Sequence, residues 1–210
     1  MQKSSSNLRA LCEGAILVAM AVVLSFVSDL IPFLSMPRGG SVTLCSMVPI
    51  VLMSYRHGVK WGCLAGLADG IIQLLMGLKN LSYCPTLASQ IGCVLLDYLL
   101  AFTILGLASA FVRRPKVWQF ALSAAAVCLL RYLCSTLSGY FVWYDYATAT
   151  GWLEAFSWGG KLVGSLGEHA LCWWYSVLYN LSYMLPETII TVAGVSALSA
   201  ATPRLFARQK

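Results

Sequence analysis

The chain has 210 residues, 59% of them hydrophobic and only 10% charged, with a formal net charge of +6. An ordinary soluble domain carries roughly 25% charged residues, so this composition excludes water as the main solvent and leaves lipid. The length suits about six spans of ~20 residues with short connections, which predicts an all-α integral membrane protein: one domain over 1–210, a bundle of six transmembrane helices.

The first apolar run covers residues 11–33. It continues well past the apolar core of a secretory signal and lacks an A-x-A-like cleavage site, so it reads as a retained span. Ala15 and Ala19 within it form a small-xxx-small pair. The segment "LSMPRGGSVTL" follows, with a proline and two glycines that predict a defined loop. The second span, 42–54, is short, and reads as tilted or as sharing its depth with that loop. "YRHGVK" then turns the chain into the third span, 61–78, where Gly62, Gly66 and Gly70 recur every four residues and admit a close neighbouring helix. The fourth span is 86–112, the fifth 117–143 and the sixth 170–201. Between the last two lies "YDYATATGWLEAFSWGGKLVGSLGEH". Its tryptophans, Trp152 and Trp158, suit a headgroup belt; a lid over an outward-facing pocket is the alternative.

Placing the basic residues on this plan assigns Lys3, Arg9, Arg56, Lys60, Arg113, Arg114, Lys116, Arg204, Arg208 and Lys210 to one side. Only Arg38, Lys79 and Lys161 fall on the other. The richer side is predicted to be cytoplasmic, with both termini on it. The basic excess thus reports orientation, and no nucleic acid is needed to explain it. The eight cysteines form no CxxC pair and no Cys/His cluster with zinc spacing, so they read as small hydrophobes; neither a metal nor a cofactor is expected. No internal repeat is visible.

Ionisable residues at membrane depth are the chemistry-bearing feature. At ~1.5 Å per helical residue, Asp97, Arg131 and Glu187 each lie about 21–24 Å from the inner boundary, on three different helices. Intramembrane charges face a bundle interior or a wet cavity. Two readings stand: a structural pair of Arg131 with Asp97 or Glu187, or a shared ligand site. One cation and two carboxylates among aromatics suit a cationic ligand. Arg131, Ser135, Gly139 and Trp143 follow an i, i+4 stride; Ser176, Asn180, Tyr183 and Glu187 share a face of the sixth span; Gln90 and Asp97 share a face of the fourth. Gly139 beside Trp143 leaves room for a flat ring. Asp69 lies at a different depth, in the glycine seam or near water. Glu13 and His57 belong to the inner end, and His169 reads as interfacial. An intramembrane enzyme using Asp97, Glu187 or Cys134 has no nucleophile–base spacing or metal motif behind it, so the chain is not read as an enzyme.

Five stretches carry a family resemblance: "LCEGAILVAMAVVLSF", "MPRGGSVTLCSMVPI", "LLDYLLAFTILGLA", "RYLCSTLSGYFVWYDYA" and "WYSVLYNLSYMLPE". The chain resembles the thiamine-specific S-components of energy-coupling-factor transporters, small six-helix membrane proteins that bind a vitamin. The resemblance implies a pocket in which Asp97 and Tyr98 take the places of a carboxylate–tyrosine pair. It places Gly139 and Trp143 at a glycine and tryptophan of the fifth-span motif, and Tyr175 and Asn180 at a tyrosine and asparagine of the sixth. Ser135 stands where the family has a histidine, and Asp97 is one methylene shorter than the family's glutamate. The implied ligand is therefore thiamine, or a related pyrimidine or thiazole compound, or another vitamin on the same scaffold. The resemblance also implies that the Ala15/Ala19 face meets a transmembrane coupling subunit attached to two ATPases. The chain has no GxxxxGK[ST] motif, so ATP hydrolysis belongs to partners; a self-sufficient small transporter is the remaining alternative.

Overall fold

The structure, a computed structural model, describes residues 2–36 and 39–209. Arg38 and Lys210, used in the charge assignment, lie outside the described residues, as does the side chain of Lys3. The fold is all α: α1 (Gln2–Asp29), α2 (Met47–His57), α3 (Val59–Met76), α4 (Leu87–Leu105), α5 (Val117–Phe141), two short helices α6 (Tyr146–Glu154) and α7 (Gly159–Ser165), and α8 (Glu168–Ala201). Helix starts follow local chemistry. Thr86 caps α4 in a capping box with Ser89, and the Asp145 carboxylate accepts from the Ala147 and Thr148 amides at the start of α6. The Gln119 side-chain oxygen accepts from the Arg113 and Arg114 amides and turns the chain into α5.

Five helices, α1, α3, α4, α5 and α8, are long and apolar enough to cross a membrane. Their outward faces expose Ile16, Met20, Leu75, Leu122, Leu129, Leu185 and Ile189, side chains that only lipid solvates well. The protein is a multi-pass protein of the cell membrane.

The second predicted span differs from this set. Residues 42–46 are irregular, and α2 begins only at Met47, with 11 residues. At ~1.5 Å per residue it covers about 17 Å of a ~30 Å core. Met47, Ile50, Val51 and Met53 are buried, so protein surrounds α2 instead of lipid. The loop before it can sit beside the helices because its polar backbone is partnered: the Met36 amide donates to the Gly40 carbonyl, Val42 to the Leu34 carbonyl and Leu44 to Ser28 Oγ.

Close packing comes from the predicted glycine seam. A Cβ on Gly66 would stand 2.4 Å from the Phe102 carbonyl oxygen, and one on Gly62 or Gly70 would strike the Gly106 or Tyr98 carbonyl. The α3 backbone therefore rests directly on α4. At one end of the bundle Glu13 pairs with Arg9, Arg56 and His57, while the Arg56 carbonyl accepts from the Gln209 amide. The beginning of α1 and the chain after α8 thus share that end.

Candidate ligand-binding site

A cavity of about 670 Å³ opens among α1, the loop before α2, α3, α4, α5 and α8. That volume falls within the range of small-molecule pockets. Asp97 reaches it from a π-helical stretch, Val94–Leu100, inside α4. Such wide turns recur at functional sites because they displace one residue from the regular α register. Oδ2 of Asp97 accepts hydrogen bonds from Ser138 Oγ at 2.6 Å and from Trp143 Nε1 at 3.0 Å. Ser138 of α5 and Trp143, just beyond its end, thus hold the carboxylate of α4, and the indole ring is fixed edge-on to it.

All seven residues that the resemblance assigns to the ligand line this cavity: Asp97, Tyr98, Ser135, Gly139, Trp143, Tyr175 and Asn180. Arg131 lines it as well. The Tyr98 hydroxyl accepts from Asn80 Nδ2 at 3.1 Å and lies 3.4 Å from the Gly77 carbonyl. Asn180 donates to the Ser176 carbonyl at 2.8 Å and accepts from the Tyr183 hydroxyl at 2.6 Å, so its amide plane is fixed. Tyr175 and Tyr179 sit in succession along α8, their rings tilted and their centroids 5.5 Å apart, and Trp152 meets both edge-on. The result is an aromatic wall facing a carboxylate, an arrangement that suits a flat, electron-poor or cationic ring carrying hydrogen-bond donors.

Several expectations need correction. Glu187 does not line the cavity. It lies behind Arg131, 1% exposed, with Oε1 3.7 Å from Arg131 Nη1 and hydrogen-bonded by the Thr43 hydroxyl. Of the two structural pairs considered for Arg131, the observed one is with Glu187. Gln90 turns away to donate to the Cys84 carbonyl, because the π-helical turns between it and Asp97 break the seven-residue register. The open side of Gly139 is used by packing: a Cβ there would lie 2.1 Å from Ser176 Oγ. Trp152, expected in the headgroup belt, is carried by α6 onto the tyrosines of α8; Trp158, stacked on Phe156, is exposed. Asp69, unplaced from sequence, is buried on the seam helix α3, beside Gln73 and within electrostatic reach of Arg131.

Further lining residues were not foreseen, among them Tyr179, Gln73, Lys79 and Asn80. Tyr179 had a readable signal, since Tyr175, Tyr179 and Tyr183 follow a four-residue stride. It also anchors the loop, its hydroxyl donating to the Gly39 carbonyl at 3.1 Å, while the Tyr183 ring leaves no space for a Cβ on Gly40. Ala15 and Ala19 are exposed on the outer side of α1, away from the cavity.

The family model described as thiamine transporter protein matches residues 11–158. The thiamine transporter ThiT of Bacillus subtilis (strain 168) is 34% identical over 217 residues, covering 98% of each chain. A solved structure of ThiT from Listeria monocytogenes has the same fold, with a TM-score of 0.69 at 21% identity over 97% of this chain and 99% of that one. The extent of these matches, with the motif residues gathered on one cavity, places this chain in the thiamine transporter family, the thiamine-specific S-components of energy-coupling-factor transporters.

Proposed function

We propose that the protein captures thiamine in the cavity described above and delivers it through an ATPase-driven coupling module. The observation that carries this reading is the convergence of Asp97, Tyr98, Ser135, Gly139, Trp143, Tyr175 and Asn180, drawn from three helices and the turn after α5, on one pocket of about 670 Å³. In this reading Asp97 accepts hydrogen bonds from the aminopyrimidine, Trp143 and Tyr175 offer ring faces, and Asn180 orients polar edges. Tyr98, fixed by Asn80, closes the pocket beside Asp97. As a substrate-binding subunit the chain is not an enzyme.

The whole chain forms a single membrane domain of six helices, α2 being the short buried sixth, with both termini cytoplasmic and the cavity opening outward. The bias of Lys and Arg supports this orientation, as does the common end shared by Glu13, Arg56 and Gln209. Family members work with a transmembrane coupling subunit and two ATPases. The exposed Ala15/Ala19 face of α1 is the proposed contact for the coupling subunit.

The test is a calorimetric titration of the purified chain with thiamine, with the pyrimidine precursor of thiamine and with other vitamins. Thiamine is expected to bind at one site, more tightly than any of the others. Tight binding of the precursor with thiamine weaker than ~10 µM would move the specificity to that ligand and would reflect Ser135 and Asp97 at their motif positions.

A further inference from the structure

Arg131 presents a problem for any site that admits a cation. It lines the same cavity as Asp97, and a guanidinium and a carboxylate sharing a pocket of low dielectric attract each other strongly. Paired with Asp97, Arg131 would occupy the acceptor that the ligand needs. The structure holds it elsewhere. Its Nη1 lies 3.7 Å from Oε1 of Glu187, its guanidinium carbon lies 4.4 Å above the Phe102 ring, and among the described residues its only ion pair is with Glu187. Asp97 instead receives Ser138 and Trp143.

Glu187 is built for this task. It is 1% exposed on α8, and the Thr43 hydroxyl donates to the same oxygen that faces Arg131. Thr43 is itself fixed by Ser46, 2.5 Å away. Asp69 adds negative potential from α3 but makes no ion pair within 4 Å among the described residues. We propose that Glu187 is a positioning residue that draws Arg131 back against the wall and so leaves Asp97 open to a positively charged ligand. This inference rests on the thiamine reading of the site.

The experiment measures the affinity of detergent-purified protein for thiamine and for an uncharged analogue in which thiophene replaces the thiazolium. Wild type, Glu187→Gln, Thr43→Val and the double variant Glu187→Gln/Arg131→Gln are compared, each with its elution profile and melting temperature. Freed from Glu187, Arg131 turns to Asp97: Glu187→Gln should weaken thiamine at least ~tenfold and shift the thiamine-to-analogue ratio at least ~threefold towards the analogue. Removing Arg131 as well should return thiamine affinity to within ~threefold of wild type. Thr43→Val keeps both charges and should shift the ratio the same way by less, which preserves the test if Glu187→Gln fails to fold. Equal losses for the two ligands, an unchanged affinity in folded Glu187→Gln, or no recovery in the double variant would each overturn the inference. Wild-type protein that binds neither ligand would refute the thiamine reading itself, and this inference with it.

Discussion

Asp97 carries two hydrogen bonds on a single oxygen, from Ser138 of α5 and from Trp143 just beyond it, so its position is set before any ligand arrives. Charge-assisted hydrogen bonds contribute about 1.5–3 kcal/mol each, and Asp97→Asn preserves shape while removing the charge. Its affinity for thiamine, read by calorimetry, should fall roughly 10- to 150-fold with little change in melting temperature. An unchanged affinity would reduce the carboxylate to a structural element. Tyr98→Phe should have a smaller effect, about tenfold at most, because the lost hydroxyl serves mainly to fix the ring through Asn80. Asp97, Arg131 and Trp143 were legible from membrane depth and helical stride. The Asn80–Tyr98 bond was not, because it joins a short helical turn after α3 to α4 through tertiary packing that no local pattern encodes.

Helix packing rests on glycines whose neighbours can now be named. Gly139→Ala would press a methyl group 2.1 Å from Ser176 Oγ and push α5 from α8 at the level of the cavity. Overpacking of this kind costs about 1–3 kcal/mol, so a lower melting temperature and weaker ligand binding are expected together. Adding Ser176→Ala should recover part of both, since the next atoms are then the Cβ of residue 176 and Asn180 Nδ2, each at 3.1 Å. Failure to recover would mean that the clash lies elsewhere. Gly66→Ala meets backbone, the Phe102 carbonyl oxygen at 2.4 Å, and no single side-chain change should rescue it. The four-residue period announced the seam in the sequence; that α4 fills it did not follow from the period. Gln90 was misplaced for a related reason, because the π-helical stretch Val94–Leu100 leaves no mark in the hydrophobic pattern. The same pattern made α2 look like a short span, whereas its apolar residues face protein on every side.

At the scale of the molecule, composition alone sufficed to predict a membrane protein, since so few charges cannot cover a soluble surface. The order of the long helices followed from hydropathy, and the family motifs named residues that line one cavity. What remained unreadable was the loop before α2, where Tyr179, Tyr183 and Glu187 of α8 contact Gly39, Gly40 and Thr43 in turn. Orientation can be tested on intact cells with a membrane-impermeant amine reagent. Lys79 and Lys161 should react from outside, and Lys60 and Lys116, also exposed, only after permeabilisation. The reverse pattern would invert the protein. The most direct test of the central claim is a thiamine titration of purified wild-type protein alongside Asp97→Asn. Single-site binding well below ~10 µM that weakens by at least ~tenfold in the variant is the predicted result. No thiamine binding by folded wild-type protein, or equal binding by both, would contradict the account.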